Sequence, residues 1–314
     1  LTDPISGNTP NLGGNDGAYI FPLANGDFRD IRPVISAASR VFLNEEPFPA
    51  DEMSLWFSPF KPYNLQTLKP PNLPTCKPET GTWAYLRDVD GNLRLAHADQ
   101  LHLDLWWQGM NITLDPGTYL YNAASPWDNP FPATEFHNTV TVNGLDQMTR
   151  ASRFMVLDWV RGRIVEQSLQ KIVAEHYGYR KLGVTHQRAV RYEENAWLVE
   201  DNLISKSQLS RAYRLHWLLP DWEWELEERG QIIEIGLKFP QGILKLTLHS
   251  SEISKQNFSL VRAGELIKGN GDTFPTRGWY SPTYGVKIPA LSLALDVTSS
   301  DTVEFISEFE FSPI

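Results

Sequence analysis

At 314 residues, with 41% hydrophobic and 21% charged side chains, the chain is globular and long enough for one large or two ordinary domains. A net charge of −10 argues against a nucleic-acid partner, yet leaves room for one basic groove that takes an acidic polysaccharide. The single cysteine, Cys76, excludes an intrachain disulfide framework and a multi-cysteine cluster, and no apolar run approaches the ~18 residues of a membrane span.

Residues 1–18 are rich in Gly, Asn and Pro and read as loop. Within them Asn15 and Asp16, in GGNDGA, fit either a turn and helix-cap role or the wall of a groove. Residues 28–43 carry Ile31, Val34, Ile35, Ala38, Val41 and Phe42 at three- and four-residue steps, which predicts an amphipathic helix. Such a stripe has to be buried, and no comparable second helix follows; the chain opens at Leu1 rather than Met, so partners are expected upstream. Residues 44–80 are crowded with proline and read as a connector with one short helix at 51–57.

From residue 82 onward strand signals dominate. Asp90-Gly91 divides TWAYLRDV from NLRLA, and Gln108-Gly109 divides LHLDLWW from MNITLD, both in the manner of hairpin turns. Alternating runs recur to the end, from TVTVNG and QRAVRY to ILKLTLHS and TVEFISEFEF. Many strands with short polar turns predict a mainly β fold, a large sandwich of antiparallel sheets. Trp222 and Trp224 in DWEWELE, and Arg161 with Arg163, fit packing and a solvated strand face respectively. Asp88 and Asp90 imitate the start of a calcium loop but lack its later ligands, and a hairpin turn suits them better.

The stretch 95-LAHADQLHLDLWWQGMNITLDPGTYLY-121 concentrates His97, Asp99, His102, Asp104 and Asp115. A turn at Gln108-Gly109 pairs Leu105 with Ile112 and Leu103 with Leu114, which puts His102 opposite Asp115, with Asp104, Asn111 and Thr113 on the same face. His97 lies just upstream, and His137 opens the strand HNTVTVNG. Two imidazoles and a carboxylate in one place suit Zn²⁺ or a similar divalent ion, each histidine oriented by an acceptor such as Asp99. The competing reading is the polar face of a hairpin with satisfied histidines, and spacing alone leaves both open.

HADQLHLDLWWQGMNITLDPGTYLY followed by HNTVTVNGLDQ resembles the heparinase II/III-like segment of polysaccharide lyases, with further likeness at PNLGGNDGAYIFPL and GWYSPTYGVKIPALSLAL. The resemblance implies a helical toroid followed by a large antiparallel β-sandwich. Residues 1–50 would be the end of the toroid, 51–80 the connector and 81–314 the sandwich, the rest of the toroid lying upstream. It carries the metal ligands over to His97, Asp115 and His137, with Zn²⁺ as a structural ion and His102 as a polar neighbour. Asn15, Asp16 and His102 then become substrate-binding candidates, and a periplasmic or secreted location is favoured.

Members of that family cleave uronic-acid polysaccharides by β-elimination, removing the proton on C5 once the adjacent carboxylate is neutralised. The chain departs from the pattern in three ways. Leu95 and Ala96 stand where a histidine is common, PFPATEF lacks the arginine often found ahead of HNT, and the toroid's Tyr and Asn are missing. These departures imply a chain inactive alone, and set beside the lyase reading a carbohydrate-binding or polysaccharide-assembly protein on the same scaffold. A metal-dependent β-sandwich hydrolase is the third expectation.

Overall fold

The structure is a computed structural model that describes residues 1–11, 13–15, 17, 23–49, 51–57, 73–79, 81–87, 97–153, 155–252 and 256–313. Strand makes up 49% and helix 9%, which settles the mainly β class. The largest sheet has eight strands, running in space from Glu223–Arg229 through Ile232–Phe239, Gly242–Ser250, Val303–Pro313, Ala196–Ser205, Val184–Glu193 and Lys171–His176 to Gly162–Gln167. A six-stranded sheet is built on Val286–Ser299, paired with Arg211–Pro220, Asn257–Arg262 and Trp279–Thr283. Four strands, Thr75–Glu79, Thr82–Leu86, Leu103–Trp107 and Met110–Asn111, form a third sheet. Among the described residues the named strands pair antiparallel, as expected for sheets joined by short turns, and an isolated parallel bridge joins Gly117 to Ser281.

Alternation explains the layering. In Val184–Glu193 the first eight residues alternate buried and half-buried, so Val184, His186, Arg188 and Val190 share the inner face. Trp197, Trp217, Phe305 and Phe309 fill the core, each worth about 1.5–3 kcal/mol over exposure. Trp217 Nε1 donates to Ser307 Oγ at 3.0 Å, tying the six-stranded sheet to the eight-stranded one. Trp197 Nε1 donates to Thr82 Oγ1 at 2.8 Å, and Trp107 stacks on Phe311 at 5.2 Å, which seats the four-stranded sheet on the same layer.

The predicted helices occur at Arg32–Leu43 and Glu52–Phe57 and pack on one another. The first starts later than its periodicity suggested, with Pro33 in the opening turn and Asn44 in the left-handed conformation at its end. Its apolar stripe is not its buried side: Ser36 and Ala37 are buried, whereas Val34 and Phe42 are exposed. Strand pairing begins at Thr75, inside the stretch read as connector. Pro78 disguised it, and the register shift between Cys76 and Glu79 is how a strand accommodates that proline. The Asp90-Gly91 hairpin, Asp88, Leu95 and Ala96 lie outside the described residues.

The N-terminal loop is fastened to the four-stranded sheet by one aspartate. Asp3 Oδ1 accepts from the Ile5 and Ser6 amides at 3.0 and 2.7 Å, and Oδ2 accepts from Trp83 Nε1 at 2.9 Å. That anchor holds the loop above Trp106 and Asn111 and opens a groove beneath it.

Candidate functional site

Three chain segments bring the polar residues together. The first, 97–102, is a tight turn: the His102 amide donates to Asp99 O at 3.0 Å, with Leu101 at φ 58°. Gln147 clamps it from outside, its Oε1 accepting from the Gln100 amide at 2.7 Å and its Nε2 donating to Gln100 O at 3.0 Å. His97 and Asp99 are thereby fixed inward and buried.

The second is the hairpin. Trp106 pairs with Asn111 and the Ile112 amide donates to Leu105 O at 2.7 Å, but the ladder ends there. The Leu105 amide donates to Thr113 Oγ1 at 2.8 Å and the Leu114 amide to Leu218 O at 2.8 Å, so the expected Leu103–Leu114 pairing does not form. His102 Nε2 lies 3.8 Å from Asp115 Oδ2 and 3.5 Å from Asp104 Oδ2. Asp115 Oδ1 is spent on the Gly117 amide at 2.9 Å, leaving Oδ2 facing the histidines. Gly117, in LDPGTYLY, has φ 76° and a Cβ there would meet Ser281 O at 2.0 Å, so the turn requires glycine.

His137 arrives on the third segment, closing the 3₁₀ turn Thr134–Phe136. Its Nδ1 lies 3.2 Å from Asp115 Oδ2 but off the hydrogen-bonding direction, so both atoms lack a hydrogen bond. The His97 and His137 ring centroids are 5.3 Å apart. Ligand atoms of His97, Asp99, Asp115 and His137 all lie within 4.8 Å of one another, and all four residues are buried. Neighbouring ligands around one tetrahedral zinc sit about 3.4 Å apart, so a small inward closure suffices. Buried His97 Nδ1, both His137 nitrogens, Asp115 Oδ2 and Asp99 Oδ1 lack a hydrogen-bond partner. Orphaned polar atoms at this depth cost roughly 1–3 kcal/mol each, and they converge here as donors to a cation would.

The electrostatics suit a cation as well. Burial, helped by the neighbouring His137, pushes the His97 imidazole down to about 4, so it is neutral with its lone pair free. Burial opposes charge on Asp115, but the His137 and His102 rings outweigh it and hold the carboxyl below its ordinary range. A neutral nitrogen beside an ionised oxygen is the state a divalent ion binds. Asp99 Oδ2 already lies 2.7 Å from Arg87 Nη1, a guanidinium pair that sets it apart from the other three.

His102 stands outside the four residues whose ligand atoms converge, and one of its ring nitrogens is held by a backbone amide. The Asn138 amide donates to its Nδ1 at 3.0 Å, and its Nε2 faces Asp104 Oδ2 and Asp115 Oδ2 at 3.5 and 3.8 Å. The ring is fully buried and sits behind the cluster rather than on the groove. Asn15 does line the groove, and its Oδ1 also accepts from the Gly17 amide at 2.8 Å, so both readings of it hold geometrically. Asp16 lies outside the described residues.

Sequence reasoning missed Asn138, which pins the site together. Its Nδ2 donates to Leu103 O and Leu114 O at 3.1 and 3.0 Å, and its Oδ1 accepts from the Leu218 amide at 2.7 Å. Its carbonyl accepts from Arg188 Nη1 at 2.5 Å, which runs the support on into the sandwich. The adjacency to His137 was the one available signal.

The groove has a volume of about 660 Å³ and lies between the N-terminal loop and the sandwich. Asp115, Asn111 and Trp106 line it on the sandwich side, with Tyr280 and Trp222 beside them and Arg29 opposite. Trp106 Nε1 and Asn111 Oδ1 are buried without a hydrogen-bond partner.

Residues 88–308 match the family described as heparinase II/III-like, C-terminal, a span that contains all three segments of the cluster. The chain belongs to the heparinase II/III-like family. Among solved structures, the heparan sulfate lyase HepC from Pedobacter heparinus superimposes with TM-score 0.62 at 17% identity, over 98% of this chain and 44% of that one. A heparinase III structure gives 0.60 at 16% identity, covering 98% and 47%, and the heparinase III BT4657 product gives 0.59 at 15%, covering 83% and 39%. At these identities the likeness is one of fold. The chain spans less than half the length of each of these structures. No curated protein matches the sequence.

Proposed function

We propose that this chain is the sandwich portion of a polysaccharide lyase that cleaves a uronic-acid polymer by β-elimination. In this reading the remainder of the active site lies on a helical toroid supplied by the rest of the protein. The observation that carries it is the groove, which has unpaired polar atoms on its floor and the histidine cluster directly behind it. Elimination needs three things of a protein: a cation near the uronate carboxylate, a base at C5 and a proton for the departing C4 oxygen. Arg29, which reaches both Asp27 and Tyr280, is the groove's guanidinium and suits the first. Asn111 Oδ1 and Trp106 Nε1 offer an acceptor and a donor to sugar hydroxyls, and Asn15 lies on the same wall. The base and acid are assigned to the toroid.

His97, Asp115 and His137 are the residues proposed to hold a divalent ion, Zn²⁺ first, with Asp99 as the outer acceptor. When bound, that ion supplies charge that fixes three distant segments in one place. His102 then orients the Asp115 carboxylate from behind, and Asn138 holds His102. The exposed Val34 and Phe42 on helix Arg32–Leu43 support the expectation of further helices against it.

The second reading, a carbohydrate-binding or assembly protein without elimination chemistry, is favoured by Leu95 and Ala96. The full-length protein incubated with a panel of uronic-acid polymers should generate the ultraviolet absorbance of an unsaturated uronate product. Binding of a polymer without any such product, across the panel, would select the second reading instead.

A further inference from the structure

A second concavity, of about 320 Å³, lies between the hairpin of strands Thr149–Ser152 and Met155–Leu157 and the 3₁₀ turn Arg180–Leu182. Trp159 forms one side of it. Its Nε1 donates to Val156 O at 2.7 Å, so the ring is held in place while 46% of the residue stays in solvent. Arg161 and Arg180 stand on the same rim, and neither has an ion-pair partner among the described residues. Of the other charges there, Lys181 Nζ pairs with Asp158 at 2.8 Å, while Asp146, whose Oδ1 accepts from the Thr134 amide at 2.7 Å, keeps its negative charge. Val160 and Tyr179 close the floor and are buried.

A fixed indole beside two guanidiniums that make no ion-pair contact among the described residues, in a space of this size, matches one anionic pyranose. The sugar's C–H face lies on the ring, and its acid group takes the charge-assisted hydrogen bonds. On a chain of net charge −10, two such guanidiniums at one concavity are selective rather than part of a general basic field. The concavity is also coupled to the histidine cluster, because Met148 and Val160 pack on Ala98, between His97 and Asp99. We propose that it is a second saccharide subsite, taking an acidic sugar residue through Trp159, Arg161 and Arg180. The polymer class follows the proposed function; the location and the residues do not.

Calorimetric titration of the full-length protein tests it, with sulfated and unsulfated uronate hexasaccharides, neutral cellohexaose and inorganic sulfate as probes. Trp159→Ala and the double variant Arg161→Ala/Arg180→Ala should each remove one of two hexasaccharide sites, or weaken it about tenfold or more, at unchanged melting temperature. Arg161→Lys/Arg180→Lys should restore part of the affinity, and cellohexaose should bind neither variant nor wild type at that site. Both Ala variants titrating like wild type would overturn the subsite, while loss of the other site in Arg29→Ala would still uphold the groove. Inorganic sulfate binding there as tightly as the hexasaccharides would reduce it to an anion site and overturn the saccharide assignment. Wild type binding no hexasaccharide would sink both.

Discussion

His176, His186, Asp201 and Arg188 lie as deep in the sandwich as His97, His137, Asp99 and Asp115 lie at its flank, but their polar atoms touch different things. In the first cluster each bond fixes the next. The Gly178 amide donates to His176 Nδ1 at 3.1 Å, leaving Nε2–H to donate to His186 Nδ1 at 3.1 Å. His186 Nε2–H in turn donates to Asp201 Oδ1 at 2.6 Å. Arg188 grips both oxygens of Asp201 at 2.7 and 2.9 Å and spends Nη1 on Leu101 O and Asn138 O. None of its side-chain nitrogens or oxygens is left over, whereas in the second cluster most are. Residue type and burial are alike, so hydrogen-bond satisfaction is what separates the two clusters.

The largest effect expected from this contrast is on the sealed network. Arg188→Met strands a buried Asp201 carboxylate and frees the Leu101 and Asn138 carbonyls, which should cost about 3–5 kcal/mol in denaturant unfolding. The double variant Arg188→Met/Asp201→Leu should recover most of that loss. A double variant as unstable as the single one would mean that the carbonyl contacts, not the ion pair, dominate.

Next comes the open cluster. His97→Ala and His137→Ala should each release bound metal, read by elemental analysis, and forfeit its stabilisation, about 2.7 kcal/mol at an ion concentration one hundredfold above Kd. His186→Ala should keep its metal while losing stability. Equal metal content in all three would show that the orphaned atoms do not hold an ion.

The two clusters were unequally legible in the sequence, for a physical reason. Counting outward from Gln108-Gly109 anticipates that His102 and Asp115 come near one another, although the ladder covers only the tip of the hairpin and Asn138 bridges the Leu103 and Leu114 carbonyls beyond it. His97 and His137 depend on packing between segments, and only the family motif pointed to them. Arg188 and Asp201 are directly paired across neighbouring strands, and VTHQRAVRYE does place His186 and Arg188 on the apolar face of its alternation. Polar residues on an inward register are a signal, but they announce a buried network without saying what completes it. Helix Arg32–Leu43 shows the opposite case, a clear period whose apolar side is not the one buried here.

A smaller effect is expected at Asp104. Its Oδ1 accepts from Asn111 Nδ2 at 3.0 Å, and its Oδ2 faces the Nε2–H of His102. Asp104→Asn can keep the first contact but turns an amide donor toward the His102 donor, loosening the ring that backs Asp115. Metal affinity should fall about tenfold with the fold intact. An affinity equal to that of wild type would place His102 and Asp104 outside the support of the site.

The last test uses protons to separate the clusters. Burial holds His176 and His186 below the ordinary imidazole range, so both are neutral in the fold. Below about pH 6.5 the unfolded chain takes up protons that these rings refuse, so stability falls with pH by up to about 1.4 kcal/mol per unit for each ring. Asp201, whose carboxyl Arg188 and His186 hold low against the opposing effect of burial, contributes stability that is lost only at lower pH, near and below about 3.9. Urea unfolding at pH 7, 6 and 5 with a chelator present should therefore show the histidine slope without the carboxylate one. Added metal should raise stability at each pH through the open cluster, while the sealed network takes no part. A stability indifferent to metal at every pH would leave the two clusters alike in function despite their different hydrogen bonding.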